Sequence, residues 1–245
     1  VNYTPPAPNI TPSSVTMCLG DPAVRLTSST SSSATVTASS GTISVPIPDG
    51  TGVAAIHTLN VAGVPAAGTI AEVRVTMNIN HTWVGDVDVN LRAPNNAILN
   101  LVGGLDGGTG GNATDDFVNT TFSSLGGAAI SGAAAPRTGT YAAEARAGYG
   151  PIGYIQTVNN WLALAPTATA ANGAWTLAMG DFAGGDPGTL TSWSISVRYT
   201  LGVPATPAVW TPNGVGSGLF LDPAATIVYM GTPTDTVWTR PTPSG

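Results

Sequence analysis

Lysine is absent from this chain, and all positive charge rests on seven arginines. Charged residues make up 8% of the 245 positions, against roughly 25% in ordinary soluble proteins. With a net charge of -6 and no basic cluster, there is nothing to neutralise phosphates, which excludes a nucleic-acid partner. The single cysteine, Cys18, rules out an intrachain disulfide and leaves a small apolar residue or an intermolecular bridge. No apolar run approaches the ~18 residues of a membrane helix. No leader of basic, apolar and small residues opens the chain, so a processed chain or a piece of a longer one is expected.

The scarcity extends to catalytic residue types. The only histidines are His57 and His81, and the only glutamates are Glu72 and Glu144. Two histidines and one cysteine, widely spaced, fall short of a zinc site. Serines are plentiful, but no G-x-S-x-G elbow presents one to a base. The glycine-rich residues 103–111 lack the lysine and the helix of a phosphate cradle. These absences together predict a chain that is not an enzyme, and both histidines are read as structural.

What is present is β-forming sequence. Apolar residues alternate through Val73, Val75, Met77 and Ile79, and again through Val87, Val89 and Leu91, with Asp86, Asp88 and Asn90 on the opposite face. Between the two runs lies Asn80–His81–Thr82–Trp83–Val84–Gly85, read as the turn of a hairpin. Further strands are expected at Ile43–Ile47, Ala55–Val61, Ile98–Val102, Phe117–Phe122, Trp175–Met179 and Leu190–Tyr199. Ala93–Pro94–Asn95–Asn96 reads as a hairpin turn. The run TSSTSSSATVTASS is either an edge strand or a spacer. Residues 123–150 read as irregular, and 151–165 as loop for want of helix caps. Short strands with Gly, Pro and Asn turns at about 8–12-residue spacing predict an all-β sandwich or jelly roll. The boundaries expected are an extended N-terminal arm with short strands over 1–40, a jelly roll over 41–202, and a small β module over 203–245.

His81–Thr82–Trp83–Val84–Gly85–Asp86 resembles a signature of the P domain found beside proprotein convertases and bacterial subtilisin-like proteases. Leu91–Arg92–Ala93–Pro94–Asn95, with Asn96 in place of the usual glycine, resembles that family's hairpin. Asn172–Gly173–Ala174–Trp175–Thr176–Leu177 and the segment from Asp181 to Trp193 resemble its later motifs. The resemblance spans about residues 43–200 and implies an eight-stranded jelly-roll β-sandwich. Asparagine at 96 tolerates the left-handed backbone that such a turn needs. The flanks, residues 9–26 and 208–239, resemble strands of Ig-like or PKD-like modules of secreted Bacteroidetes proteins. That second resemblance implies a smaller Ig-like β module and an extracellular or cell-surface location.

Calcium is the cofactor this sequence suits, because it takes hard oxygens from carboxylates and carbonyls. Asp86, Asp115 and Asp116 lead the candidate ligands, with Asp88, Asp181 and Asp186 behind them and Asp106 at the start of the same glycine loop. Trp83, Trp175 and Trp193 are expected in the core, while Trp161, Trp210 and Trp238 are candidates for glycan contact. Three functions are carried forward. One is a structural or adhesive surface protein, self-associating into a homopolymer by donating residues 1–12 to a neighbour's sheet or binding other cell-surface proteins. Another is a P-domain accessory module of a secreted subtilisin-like protease. The last is a glycan-binding module.

Overall fold

The computed structural model describes residues 9–12, 22–105, 116–204, 217–221, 223–224, 228–230 and 236–241. The described chain is all β apart from short helical turns. In order it runs β1 (Asn9–Thr11), β2 (Val24–Ser39), β3 (Val45–Ile47), β4 (Ala55–Val61), β5 (Thr69–Asn80), β6 (Val87–Arg92), β7 (Ile98–Val102), β8 (Phe117–Ser123), β9 (Arg137–Tyr141), α1 (Trp161–Leu164), α2 (Ala168–Ala171), β10 (Gly173–Asp181), β11 (Gly188–Pro204), β12 (Ser217–Phe220) and β13 (Thr236–Pro241). Two compact units divide it: residues 34–200, and residues 1–33 with 201–245.

Residues 34–200 form a β-sandwich of one mixed and one antiparallel sheet. In one sheet β11 and β8 flank β5 antiparallel, β9 joins β8 in parallel, and β2 and β3 lie along the other edge of β11. The other sheet is antiparallel throughout, in the order β4-β10-β6-β7. Alternation decides what is inside. Val73, Val75, Met77 and Ile79 of β5 are buried, as are Trp175, Leu177 and Met179 of β10 and Val87, Val89 and Leu91 of β6. On β11 a register shift between Leu190 and Ser192 resets the phase, so that Leu190 and then Trp193, Ile195 and Val197 all reach the core. The Trp193 indole N–H donates to His57 Nδ1 at 2.9 Å, tying β11 of one sheet to β4 of the other.

Two local readings need correction. The stretch from Ile79 to Leu91 is not a hairpin, because β5 and β6 belong to different sheets and residues 80–86 carry the chain across. The face of β6 bearing Asp88 and Asn90 is not open to solvent either. Asp88 is 6% exposed and Asn90 0%, because the segment around Tyr149, Gly150 and Tyr154 lies over them and bonds to both. The turn after β6 is as expected: Asn96 sits at φ +66° and its N–H donates to the Ala93 carbonyl at 2.9 Å.

Elsewhere the structure resolves an alternative and supplies elements that were not anticipated. The Ser/Thr-rich run is strand, forming most of β2; threonine and valine suit a pleated backbone, and neither glycine nor proline interrupts. Arg137–Tyr141 within the Gly/Ala-rich region is β9, recruited by parallel pairing with β8. The helical turns α1 and α2 do have caps: Asn160 accepts from the Ala163 N–H at 2.8 Å and Thr167 from the Ala170 N–H at 3.2 Å.

In the other unit, β1 and β13 each pair antiparallel with the N-terminal part of β2, and β12 pairs with β13. Leu219, Tyr229 and Val237 form its core, with Leu26 packed against them. Residues 9–11 of the expected arm therefore pair within their own chain. Residues 1–8, Cys18, Asp106, Asp115 and Trp210 lie outside the described residues.

Candidate functional site

The site grows from the end of β5. After Asn80 the His81 N–H donates to Asp116 Oδ1 at 2.7 Å, which turns the imidazole inward. The His81 side chain is fully buried. Nδ1 accepts the Trp83 main-chain N–H at 3.1 Å, so the ring proton sits on Nε2, which faces Asp181 Oδ2 at 3.3 Å. The other oxygen of Asp181 accepts the Ala183 N–H at 3.1 Å. Next along, the Thr82 hydroxyl donates to Asp186 Oδ1 at 2.6 Å. Three aspartates from distant parts of the chain thus hold two consecutive residues. Glycine at 188 is needed for this, since a Cβ there would lie 2.2 Å from His81 Cδ2.

A histidine beside a buried aspartate invites comparison with a base and its orienter. A catalytic base needs its second nitrogen within reach of a nucleophile. Here that nitrogen is taken by the Trp83 amide, and the ring is sealed from solvent. The arrangement can lock a chain crossing; it cannot take a proton from a substrate.

A second polar group lies on β6. Asp88 Oδ1 accepts the Gly104 N–H at 3.1 Å, and Oδ2 accepts the Gly150 N–H at 2.9 Å. Glu144 Oε2 accepts the Gly103 N–H at 2.9 Å. Arg146 donates to the carbonyls of Gly103 at 2.6 Å and Gly104 at 3.0 Å, and its guanidinium lies 4.1 Å from the Tyr149 ring centre. Burial raises the Asp88 carboxyl above its ordinary value, against the pull of the Gly150 and Gly104 amides and Arg146, with Glu144 adding to the rise. Burial raises Glu144 too, opposed by the Gly103 amide and Arg146. Asn90 completes the group, donating to the carbonyls of Tyr149 at 2.9 Å and Tyr154 at 2.6 Å while its own oxygen accepts from Asn100 at 2.8 Å.

Beside this group opens a cleft of about 650 Å³. Its lining includes the carboxylate-bearing Asp86 and Asp88 and the larger apolar or aromatic Tyr149, Ile152, Ile155 and Phe182.

The sequence-predicted ligands therefore fall into two sets. Asp116, Asp181 and Asp186 hold His81 and Thr82, while Asp86 and Asp88 line the cleft. Asp115 is outside the described residues, so the set Asp86, Asp115 and Asp116 extends beyond them. Among the described residues no three His, Cys, Asp or Glu side chains come together as a metal-ligand group. The sequence reading missed Asn90, Glu144 and Arg146. Their signal was available: in a chain with 8% charge, a Glu and an Arg two residues apart within a Gly/Ala stretch are conspicuous.

Of the tryptophans, Trp175 and Trp193 are buried, whereas Trp83 is only half-buried. Trp161 and Trp238 are half-buried as well.

Residues 70–142 match the family model of the proprotein convertase P-domain, so a P-domain is present in this part of the chain. The match is to that domain and not to a protease catalytic domain. Among solved structures, the serine protease of Aeromonas sobria and the same protease in complex with its chaperone ORF2 are similar in part. Each has 16% identity and a TM-score of 0.34, with 73% of this chain and 27% of that chain covered. The chain thus spans only about a quarter of the length of those proteins. No curated protein matches it. No helix among the described residues is long and apolar enough to cross a membrane.

Proposed function

We propose that this chain serves as a non-catalytic P-domain accessory module of a secreted subtilisin-like protease, with the domain extending beyond the matched residues over about 43–200 as a jelly roll. The observation that carries this reading is the P-domain match over residues 70–142. The site chemistry agrees with it: His81, Asp181 and Asp88 are buried and bonded within the fold, as suits a module that lends stability or position to a separate catalytic domain. On this reading the chain works outside the cell. The flanking strands are read as an Ig-like module. Sequencing the gene around the segment tests the proposal. A subtilisin-like catalytic domain in the same reading frame supports it; a complete frame without one overturns it.

Calcium belongs to this proposal through Asp86, at the cleft, with Asp115; Asp88 and Asp116 already accept main-chain N–H groups and lie in separate sets. Thermal unfolding with added Ca²⁺ and with EDTA is the measurement. A midpoint that rises with Ca²⁺ supports ligation, and an unchanged midpoint removes it.

A further inference from the structure

The sheet β4-β10-β6-β7 has two edges, and they are treated differently. Along β7 the outward main-chain groups are occupied. The Ile98 carbonyl accepts from Thr157 and Val158 N–H groups, its N–H donates to the Thr157 hydroxyl, and the Asn100 N–H donates to the Gln156 side chain. The carbonyls of Asn100 and Leu101 accept from Ala145 and Glu144. That edge is closed by the segment from Glu144 to Val158.

Among the described residues no strand covers the β4 edge, and the register says which groups it presents. The Phe182 N–H donates to the Asp86 carbonyl at 3.0 Å, while the Gly52 N–H donates to the Asp181 carbonyl at 2.6 Å. Main-chain groups of successive residues point to opposite edges of a strand. Within β10, therefore, Trp175, Leu177 and Met179 bond towards β4, and Thr176, Ala178 and Gly180 towards β6. Their partners on β4 are Leu59, His57 and Ala55. Ile56, Thr58 and Asn60 are left directing both N–H and C=O outward. The contact between the Thr58 and Thr176 hydroxyls at 3.0 Å fits this phase, since side chains approach most closely in a non-hydrogen-bonded pair. Among the described residues nothing else bonds these three main-chain positions.

Exposed edges are ordinarily guarded by charge, proline or a bulge. From Ala55 to Val61 there is no charged residue and no proline, and the register with β10 runs unshifted. Ile56 is 48% exposed. His57 turns inward, its Nδ1 accepting the Trp193 indole N–H.

We propose that β4 is a dimerisation edge that pairs antiparallel with β4 of a second copy of this chain, about a two-fold axis at Thr58. The strand is its own complement in this register and in no other to the same extent. Ile56 faces Asn60 of the partner copy, Thr58 faces its own equivalent, and Asn60 faces Ile56, so all three outward positions are used. Each facing pair exchanges two main-chain hydrogen bonds. The core-side and solvent-side faces of the two strands match, because facing residues share parity. An uncharged edge meets its copy without repulsion, and Thr–Thr is a favourable cross-strand pair. The two four-stranded sheets become one continuous sheet.

Sedimentation velocity on the whole chain across a hundredfold concentration range tests this, alongside Thr58→Lys and Ile56→Lys. Both side chains point to solvent, so the folded monomer tolerates them, and circular dichroism checks that it does. The wild type is expected to shift from monomer to dimer with concentration. Thr58→Lys, which sets like charges face to face at the axis, is expected to stay monomeric. Hydrogen exchange adds a positional readout: amides of Ile56, Thr58 and Asn60 gain protection with concentration, while those of Ala55, His57 and Leu59 are protected throughout. A wild type that remains monomeric, a dimer indifferent to Thr58→Lys, or a concentration-independent protection of Ile56, Thr58 and Asn60 overturns the proposal.

Discussion

Gly188 and His81 show how a single position is fixed by its neighbour. A methyl group at 188 would fall 2.2 Å from the ring, and the ring cannot yield because both its nitrogens are bonded. Gly188→Ala is therefore expected to cost about 1–3 kcal/mol of stability, as overpacking does, read as a lowered urea midpoint at unchanged slope. Asp88 and Glu144 give a pH signature. Burial raises both above their ordinary values of 3.8 and 4.5. The folded chain then binds these protons more tightly than the unfolded chain does. Their contribution to stability is full below the ordinary values and is lost as pH rises through the raised ones. Asp88→Asn carries no such titration. The stability of the wild type relative to Asp88→Asn is expected to fall as pH rises from about 3 to 7. Urea unfolding of the two proteins across that range checks it, and a difference that stays level or grows with pH contradicts it.

At the scale of elements, β6 is the strand that departs most from its sequence pattern. Alternating Val87, Val89 and Leu91 with polar residues ordinarily means one buried and one wet face. Here a loop covers the polar face, and a loop carries main-chain groups that need partners. Asp88 and Asn90 supply them. Gly150 must approach Asn90 so closely that a Cβ would sit 2.0 Å from its Nδ2. Asn90→Ala is expected to leave the Tyr149 and Tyr154 carbonyls without these donors, at a cost of about 1–3 kcal/mol each where burial is complete. Early proteolytic cleavage between residues 142 and 158 is the local check. This also shows what was readable beforehand. Ala55–Val61 and Ile98–Val102 were legible to the residue, because period-two alternation marks the first, a short apolar run the second, and turns flank both. The Asn95–Asn96 turn was legible because only a few residue types accept its backbone. The crossing at 80–86 was not, since a turn sequence looks the same whether the next strand pairs with the last or joins the opposite sheet. Strand β9 was invisible for a related reason: Arg137–Tyr141 carries little apolar alternation and is strand because β8 lends it hydrogen bonds. The candidate ligands were picked out as a set, but sequence could not divide them into those that clasp His81 and those that line the cleft. That division depends on which loops meet.

For the whole molecule, residues 34–200 have their own two-sheet core, and a fragment of that length is expected to unfold in a single cooperative transition, checked by coincident fluorescence and circular dichroism melts. The same unit contains the entire P-domain match and nearly all of the buried polar chemistry described above. That chemistry holds the fold. His81 is where this role is most open to test, because among the described residues the buried His–Asp pair is the feature that resembles catalytic equipment. The decisive measurement is urea unfolding of the wild type and His81→Ala, with peptide and ester hydrolysis assayed on both. Removing the ring leaves Asp181 Oδ2 buried without its N–H donor, while Oδ1 keeps the Ala183 amide, so a loss of about 3 kcal/mol is expected, with no hydrolysis by either protein. A His81→Ala chain as stable as the wild type, or a wild type whose hydrolytic activity disappears on that substitution, would contradict the account.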